Sequence, residues 1–180
     1  MDPIDHHQLL NYKLTVKLKS SENNFSSHPL VNTTTLKSIA KVAENNKQPL
    51  YLVGGYVRDL LLNRSSYDLD FVTLGSGIDL AKKIAAALNV KQVSYFKNFG
   101  TAMLNVNNQE LQFVGARKES YNKNSRNPIV EDGTIEDDQN RRDFTINALA
   151  ISLNSDDFGA FLPVDHHELV ADCMARQTPR

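Results

Sequence analysis

Apolar positions along the chain fall into short runs, and the period within each run assigns it to a helix or a strand. Leu36, Ile39, Ala40 and Ala43 recur at helical spacing behind a Thr33 to Thr35 cluster that can cap a helix start, so residues 34–45 are expected to form an amphipathic helix. Leu50 to Val53 is a continuous apolar run of strand type, broken by Gly54-Gly55, and Tyr56 to Leu62 then reads as a helix with Leu60, Leu61 and Leu62 available to a core. Asp68 to Val72 alternates polar and apolar, as a strand that buries Leu69 and Phe71. Residues 78–88 read as a helix with Leu80, Ile84, Ala87 and Leu88 inward, followed by strands at Lys91 to Val93 and Thr101 to Val106. Asn107-Asn108 supplies a hairpin turn from which Glu110 to Ala116 returns antiparallel. Gly115 to Asn140, with Pro128 and the acidic stretch Glu131 to Asp138, has little apolar period and reads as a long mobile loop over a site. Arg141 is expected to open a further helix whose buried stripe is Phe144, Ile146, Leu149 and Ala150, and Phe161 to Val164 reads as a strand. Residues 1–27 are polar and without a sustained period, and are expected to form an arm outside a domain spanning 28–164.

Composition narrows the setting. With 180 residues and 41% hydrophobic content, one domain with a sizeable core is within reach. The net charge of -1 excludes the global basic field of a dedicated nucleic-acid binder, so any hold on a nucleic acid must be local or supplied by chain beyond this sequence. The one cysteine, Cys173, permits no internal disulfide. The N-terminus lacks the basic flank and apolar core of a signal peptide, and no apolar run approaches bilayer length. A cytoplasmic protein with no membrane span is expected.

The densest chemistry lies between Leu52 and Val72. A glycine pair lets an anion approach the backbone, and the helix start behind it offers free N–H groups at its positive end, which suits phosphate. Arg58 stands early in that helix, where a positive charge is mildly unfavourable and is better explained by a ligand or a carboxylate partner; its fork fits a triphosphate. Asp68 and Asp70 share one strand face, and two carboxylates so placed repel unless a cation sits between them. An isolated pair of this kind would cap a turn and face solvent on an edge strand. The preceding Gly54-Gly55-Tyr56-Val57-Arg58-Asp59 turns the reading toward nucleotidyl transfer with Mg²⁺.

Three blocks together resemble the catalytic head of the class II tRNA nucleotidyltransferases (CCA-adding enzymes) and the similar bacterial poly(A) polymerases. They are Gly54 to Asp59 followed by Asp68-Leu69-Asp70; Phe99-Gly100-Thr101-Ala102 followed by Phe113 to Arg117; and Arg141-Arg142-Asp143-Phe144-Thr145-Ile146-Asn147-Ala148. The resemblance implies an α+β fold of the DNA polymerase beta-like nucleotidyltransferase type, with a mixed, mainly antiparallel sheet flanked by helices. It also implies two Mg²⁺ ions held by Asp68 and Asp70, a triphosphate held by Gly54, Gly55 and Arg58, and triphosphate and ribose contacts from Arg142, Asp143 and Asn147. The substrates would be ATP and CTP and the partner the 3′ end of tRNA. Poly(A) addition, transfer to a small molecule or protein, and a non-catalytic nucleotide-binding head remain open beside this reading.

The chain departs from the family in two places. Where the family carries a third carboxylate, leading into the position of Arg117, this chain has Gln112; Glu110, two residues away on the same face, could substitute or could face solvent. After Val164 the chain reads Asp165-His166-His167-Glu168 and ends at Arg180, without the neck, body and tail that select the base and hold tRNA, so the chain is expected to be a head domain, a truncated gene product or an excised piece, with residues 165–180 a remnant where the neck would begin. The Asp5-His6-His7 and Asp165 to Glu168 clusters hold ligand types but lack a distant second pair, and read as solvated surface. Arg141 could contact a ligand or pair with the acidic residues Glu136 to Asp138. Tyr51, Tyr56, Phe71 and Phe144 are expected in the core.

Overall fold

The computed structural model describes residues 24–62, 64–120, 129–142 and 147–162. Helix α1 (Thr34–Asn45) begins where Thr33, in extended backbone, accepts the Leu36 N–H through its hydroxyl oxygen at 3.1 Å, satisfying a donor that a helix start leaves open. It turns Leu36, Ile39 and Ala43 inward. Strand β1 (Leu50–Val53) runs into Gly54, and α2 (Gly55–Leu61) follows, burying Tyr56, Val57, Leu60 and Leu61. After β2 (Asp68–Thr73), α3 (Gly77–Ala87) leads to β3 (Val93–Phe96), β4 (Thr101–Val106) and β5 (Gln109–Gly115).

Among the described residues seven strands form one sheet, in the order β3-β4-β5-β2-β1-β8-β9, with β8 (Ala150–Ser152) and β9 (Phe161–Leu162) on the far side of β1. Neighbours are antiparallel except β2 and β5, which run parallel because the connection between them is long enough to cross over through α3 and the β3-β4 hairpin. This is the mixed, mainly antiparallel sheet flanked by helices that the resemblance implies.

Alternation then separates two faces. Leu50, Leu52, Leu69, Phe71, Leu104, Leu111 and Phe113 lie in the main core with the inward residues of α1, α2 and α3. Phe71 and Phe113, partners across the parallel pair, stack at 4.6 Å and are fully buried, each contributing about 2 kcal/mol or more by removal from water. Tyr56 is buried with its hydroxyl donating to the Leu30 carbonyl at 3.0 Å, and Tyr51 is half-buried on the opposite face. That opposite face holds a smaller cluster of Val53, Val72, Ala116, Ile135 and Ala150, with Asp68 and Asp70 beyond it along β2.

Several expectations need correction. The inward stripe of α3 is Gly77, Leu80, Ala81, Ile84 and Ala85; Ala87 is exposed, because helical spacing from Leu80 and Ile84 returns through the alanines on their C-terminal side. Strand β3 begins at Val93 rather than Lys91, since its register against β4 pairs Val93 with Leu104 and Phe96 with Thr101. The stretch expected to be one mobile loop contains β6 (Arg117–Ser120) paired antiparallel with β7 (Ile129–Asp132), and α4 (Ile135–Asn140). Helix α4 lacks an apolar stripe but has a reciprocal cap: Thr134 accepts the Asp137 N–H at 3.2 Å and Asp137 accepts the Thr134 N–H at 2.9 Å. Three acids in its first turn favour it further through the helix dipole.

Arg141 does not open a helix; it is the C-cap of α4. Two adjacent arginines are costly at a helix start and favourable at a helix end, so the electrostatic difficulty of the sequence reading disappears. Leu149 and Ala150 are buried as expected, but Ala150 belongs to β8. Phe144 and Ile146 lie outside the described residues, as do residues 163–180. At the other end, Asn24 forms a bridge with Ala160, and the Phe25 ring meets Phe161 edge-on at 6.1 Å, so residues grouped by polarity with the arm pack on the domain.

Candidate active site

Register places the acidic residues. In the parallel pairing of β2 and β5, Asp68 is abreast of Glu110 and Asp70 of Gln112. Side chains abreast in a ladder share a face, so all four project from the face opposite the main core. Asp68 and Glu110 are exposed at one end, whereas Asp70 and Gln112 are half-buried and line an open cleft of about 740 Å³. Burial pushes the Asp70 carboxyl above its ordinary range; the positive charge of Arg142 opposes this, and the charges of Asp68 and Glu110 reinforce it.

Gly54 touches the same point. Its φ of 77° is in the region that side chains rarely adopt, and a Cβ on it would lie 3.2 Å from Asp70 Oδ2 and 3.6 Å from Arg142 Nη1. Glycine is needed there for backbone conformation and for room between a carboxylate and a guanidinium. Gly55 faces elsewhere: a Cβ on it would meet Arg58 Nη2 at 3.5 Å.

The arginines of the cleft wall are held by a residue that the sequence reading placed only among possible partners of Arg141. Asp138 in α4 has no exposed surface, and its carboxylate accepts Arg141 Nε at 3.0 Å and Arg142 Nε at 2.9 Å. These are i, i+3 and i, i+4 pairs, so one helical turn aims both guanidiniums from a single anchor. Arg142 Nη1 also donates to the Asn147 carbonyl at 3.3 Å. The open question for Arg141 is thus answered by an acidic partner, and Arg142 shares it. Arg141, Arg142 and Asn147 all line the cleft with Asp70.

Arg58 uses its fork on a neighbour. Nε and Nη2 donate to the two carboxylate oxygens of Asp59 at 2.9 and 3.1 Å, and Nη1 donates to Asn147 Oδ1 at 3.0 Å. Arg58 is not among the cleft-lining side chains and reaches the site through Asn147. With Oδ1 so engaged, the Asn147 amide nitrogen remains as the donor of this cleft-lining side chain. Asp143 lies outside the described residues. Thr101, Arg117 and Phe99 also line the cleft, and none was singled out as a site residue. The available signal for Asp138 was its spacing to two arginines; for Phe99 it was an aromatic residue beside Gly100 with no period to place it in a core.

Comparison with known proteins adds the following. The poly A polymerase head domain profile matches residues 50–169. The A-adding tRNA nucleotidyltransferase of Aquifex aeolicus (strain VF5) is 46% identical over 112 residues, 62% of this chain and 14% of its own length. The A-adding tRNA nucleotidyltransferase of Halalkalibacterium halodurans is 36% identical over 148 residues, 79% of this chain and 34% of its own length. A tRNA nucleotidyltransferase crystallised with a primer tRNA and an incoming ATP analogue superposes with a TM-score of 0.62 at 36% identity, over 73% of this chain and 36% of that one. The chain thus spans between 14% and 34% of the length of these curated relatives. No helix among the described residues is long and apolar enough to cross a membrane.

Proposed function

The chain belongs to the family of poly A polymerase head domains and has the α+β fold of a DNA polymerase beta-like nucleotidyltransferase head, and from that premise we propose that it is the catalytic head of an enzyme adding CMP and AMP, from CTP and ATP, to the 3′ end of tRNA. The observation that carries the reading is Asp70 on the cleft floor with Gly54 and Arg142 against it. The names of the relatives favour tRNA over poly(A) as the product.

In the proposed reaction the RNA 3′-oxygen attacks the α-phosphorus in line, the bond from that phosphorus to the bridging oxygen of the β-phosphate breaks, and pyrophosphate leaves. Gly54 would let the phosphates approach the backbone, Arg142 would offset their charge, and Asn147 would donate to the ribose, with Arg58 holding its amide in orientation. Asp143 is proposed to share the nucleotide contacts with them. Asp68 and Asp70 would hold two Mg²⁺ ions. Among the described residues no group of three or more His, Cys, Asp or Glu is gathered closely enough to hold a metal unaided. Such a pair suits Mg²⁺, which keeps waters and substrate phosphates around one or two carboxylates. When bound, the ions lower the pKa of the attacking hydroxyl and offset charge on the leaving group.

The neutral Gln112 abreast of Asp70 supports a second reading, a head that binds nucleotide without turnover. Labelled CTP or ATP, offered to the chain with a tRNA lacking its terminal nucleotides, separates the two. Incorporation supports the first reading, whereas triphosphate binding without incorporation supports the second. A run of added A alone would instead assign poly(A) addition.

Triphosphate binding by the chain is expected to need Mg²⁺ and to differ little among ATP, CTP, GTP and UTP, because the proposed contacts are to phosphate and ribose. Calorimetry of the four nucleotides tests this; strong selection of CTP and ATP would reveal a base-reading surface within these residues. A separate expectation concerns the residue abreast of Asp70. Gln112→Glu adds a hard anionic oxygen, so Mg²⁺ should raise the melting temperature of this variant more than that of the parent. An equal rise in both proteins would mean that residue 112 does not face the ions.

A further inference from the structure

Phe99 is a large apolar side chain set in solvent at the edge of the cleft. It ends a short 3-10 turn (Lys97–Phe99) between β3 and β4, is 65% exposed, and lines the same cleft as Asp70 and Gln112. The turn is firmly built. Gly100 closes it with a φ of 57° and a backbone N–H donated to the Lys97 carbonyl at 3.1 Å. Thr101 donates its hydroxyl to the Phe99 carbonyl at 3.1 Å, and a Cβ on Gly100 would lie 3.2 Å from Arg117 Nη2, so that side chain packs across the turn. Phe96 precedes the turn, abreast of the cleft-lining Thr101 and 45% exposed. Exposed aromatic rings on an ordered backbone, with arginine beside them, form a surface on which a nucleobase stacks at little ordering cost.

Which base it takes follows from the sheet order. Gly54 follows β1 and Asn147 precedes β8, on one side of Asp70 in β2; Phe99 precedes β4, on the other side beyond β5. In-line displacement requires the attacking and leaving oxygens on opposite sides of the phosphorus. If the phosphate tail lies toward Gly54 and Arg142, the attacking 3′-oxygen enters from the β5-β4 side. We propose that the base of the RNA 3′-terminal nucleotide stacks on Phe99, which makes Phe99 a positioning residue for the attacking strand; this rests on the nucleotidyltransferase reading.

The chain contains no tryptophan, so Phe99→Trp installs a sole indole, excited selectively over the six tyrosines at the red edge of absorption, at a position exposed enough for the fold to tolerate it. Indole emission should fall when a short single-stranded RNA is added. It should not fall with ATP and Mg²⁺ alone, nor with the same RNA made abasic at its 3′-terminal nucleotide. Phe99→Ala should weaken RNA binding about tenfold, the scale of one base-aromatic stack, with ATP affinity unchanged. Equal quenching by ATP alone would overturn the inference by assigning Phe99 to the incoming base. Emission insensitive to RNA, with ATP still bound by calorimetry, would overturn it while leaving the nucleotidyltransferase reading intact. Failure of the parent chain to bind ATP with Mg²⁺ would remove both.

Discussion

Asp70→Asn is expected to reduce nucleotide incorporation by at least about 10³-fold, roughly 4 kcal/mol of transition-state stabilisation, while the chain stays folded and melts higher than the parent without divalent metal. The loss follows from replacing an anionic oxygen on the cleft floor with a neutral amide of nearly the same shape. The gain has an independent origin. Burial, helped by the charges of Asp68 and Glu110 and opposed by Arg142, raises the Asp70 pKa in the folded chain. The folded state therefore binds this proton more tightly than the unfolded state, and ionised Asp70 costs stability at neutral pH. As pH falls through the raised value the cost shrinks, and it is gone below the ordinary carboxylate value of about 4. Melting curves of both proteins without metal should accordingly converge in acid. Near-parental incorporation by the variant would remove Asp70 from the chemistry, and a lower melting temperature at neutral pH would contradict the cause assigned to its shift. Asp68, exposed at the strand start, should give a similar loss of activity when changed to Ala.

The largest expected effect on folding is at Asp138. Removing its carboxylate in Asp138→Ala leaves two guanidiniums, 27% and 19% exposed, without the anchor they share. Breaking a buried pair from one side costs about 3–5 kcal/mol, and the partial exposure of both arginines places this case near about 3 kcal/mol. For a chain of this size that is a fall of roughly 6–12 °C in melting temperature. Triphosphate affinity should fall with it, because Arg142 would no longer be held toward Gly54 and Asp70. Asp138→Asn, which keeps one acceptor for one arginine, should fall between the two proteins in both measurements. A parental melting curve for Asp138→Ala would show that the clamp contributes nothing to the fold.

Much of this was legible along the chain, for a local reason. The Thr33 cap, the inward stripe of α1, the break at Gly54 and the alternation that puts Leu69 and Phe71 opposite Asp68 and Asp70 all depend on residues within a few positions of one another. Short elements escaped where the apolar period is too brief to register. Helix α4 buries Ile135 as its only apolar core contact and depends on the Thr134–Asp137 cap and the charges at its two ends, signals that are polar and were read as loop. The same error reversed the place of Arg141 and Arg142 relative to a helix, and with it the reason two arginines can stand together.

The residues alone determined that a glycine turn, two carboxylates on one strand face and a pair of arginines exist in this chain, because backbone conformation and strand alternation are local properties. Only the tertiary structure decided what these groups meet. The parallel pairing of β2 with β5 puts Gln112 abreast of Asp70, the burial of Asp138 fixes both arginines on one anchor, and the sheet order sets Gly54 and Phe99 on opposite sides of the carboxylate. Strand adjacency between segments distant in the chain is chosen by how the whole core packs, and no period within either strand encodes its neighbour.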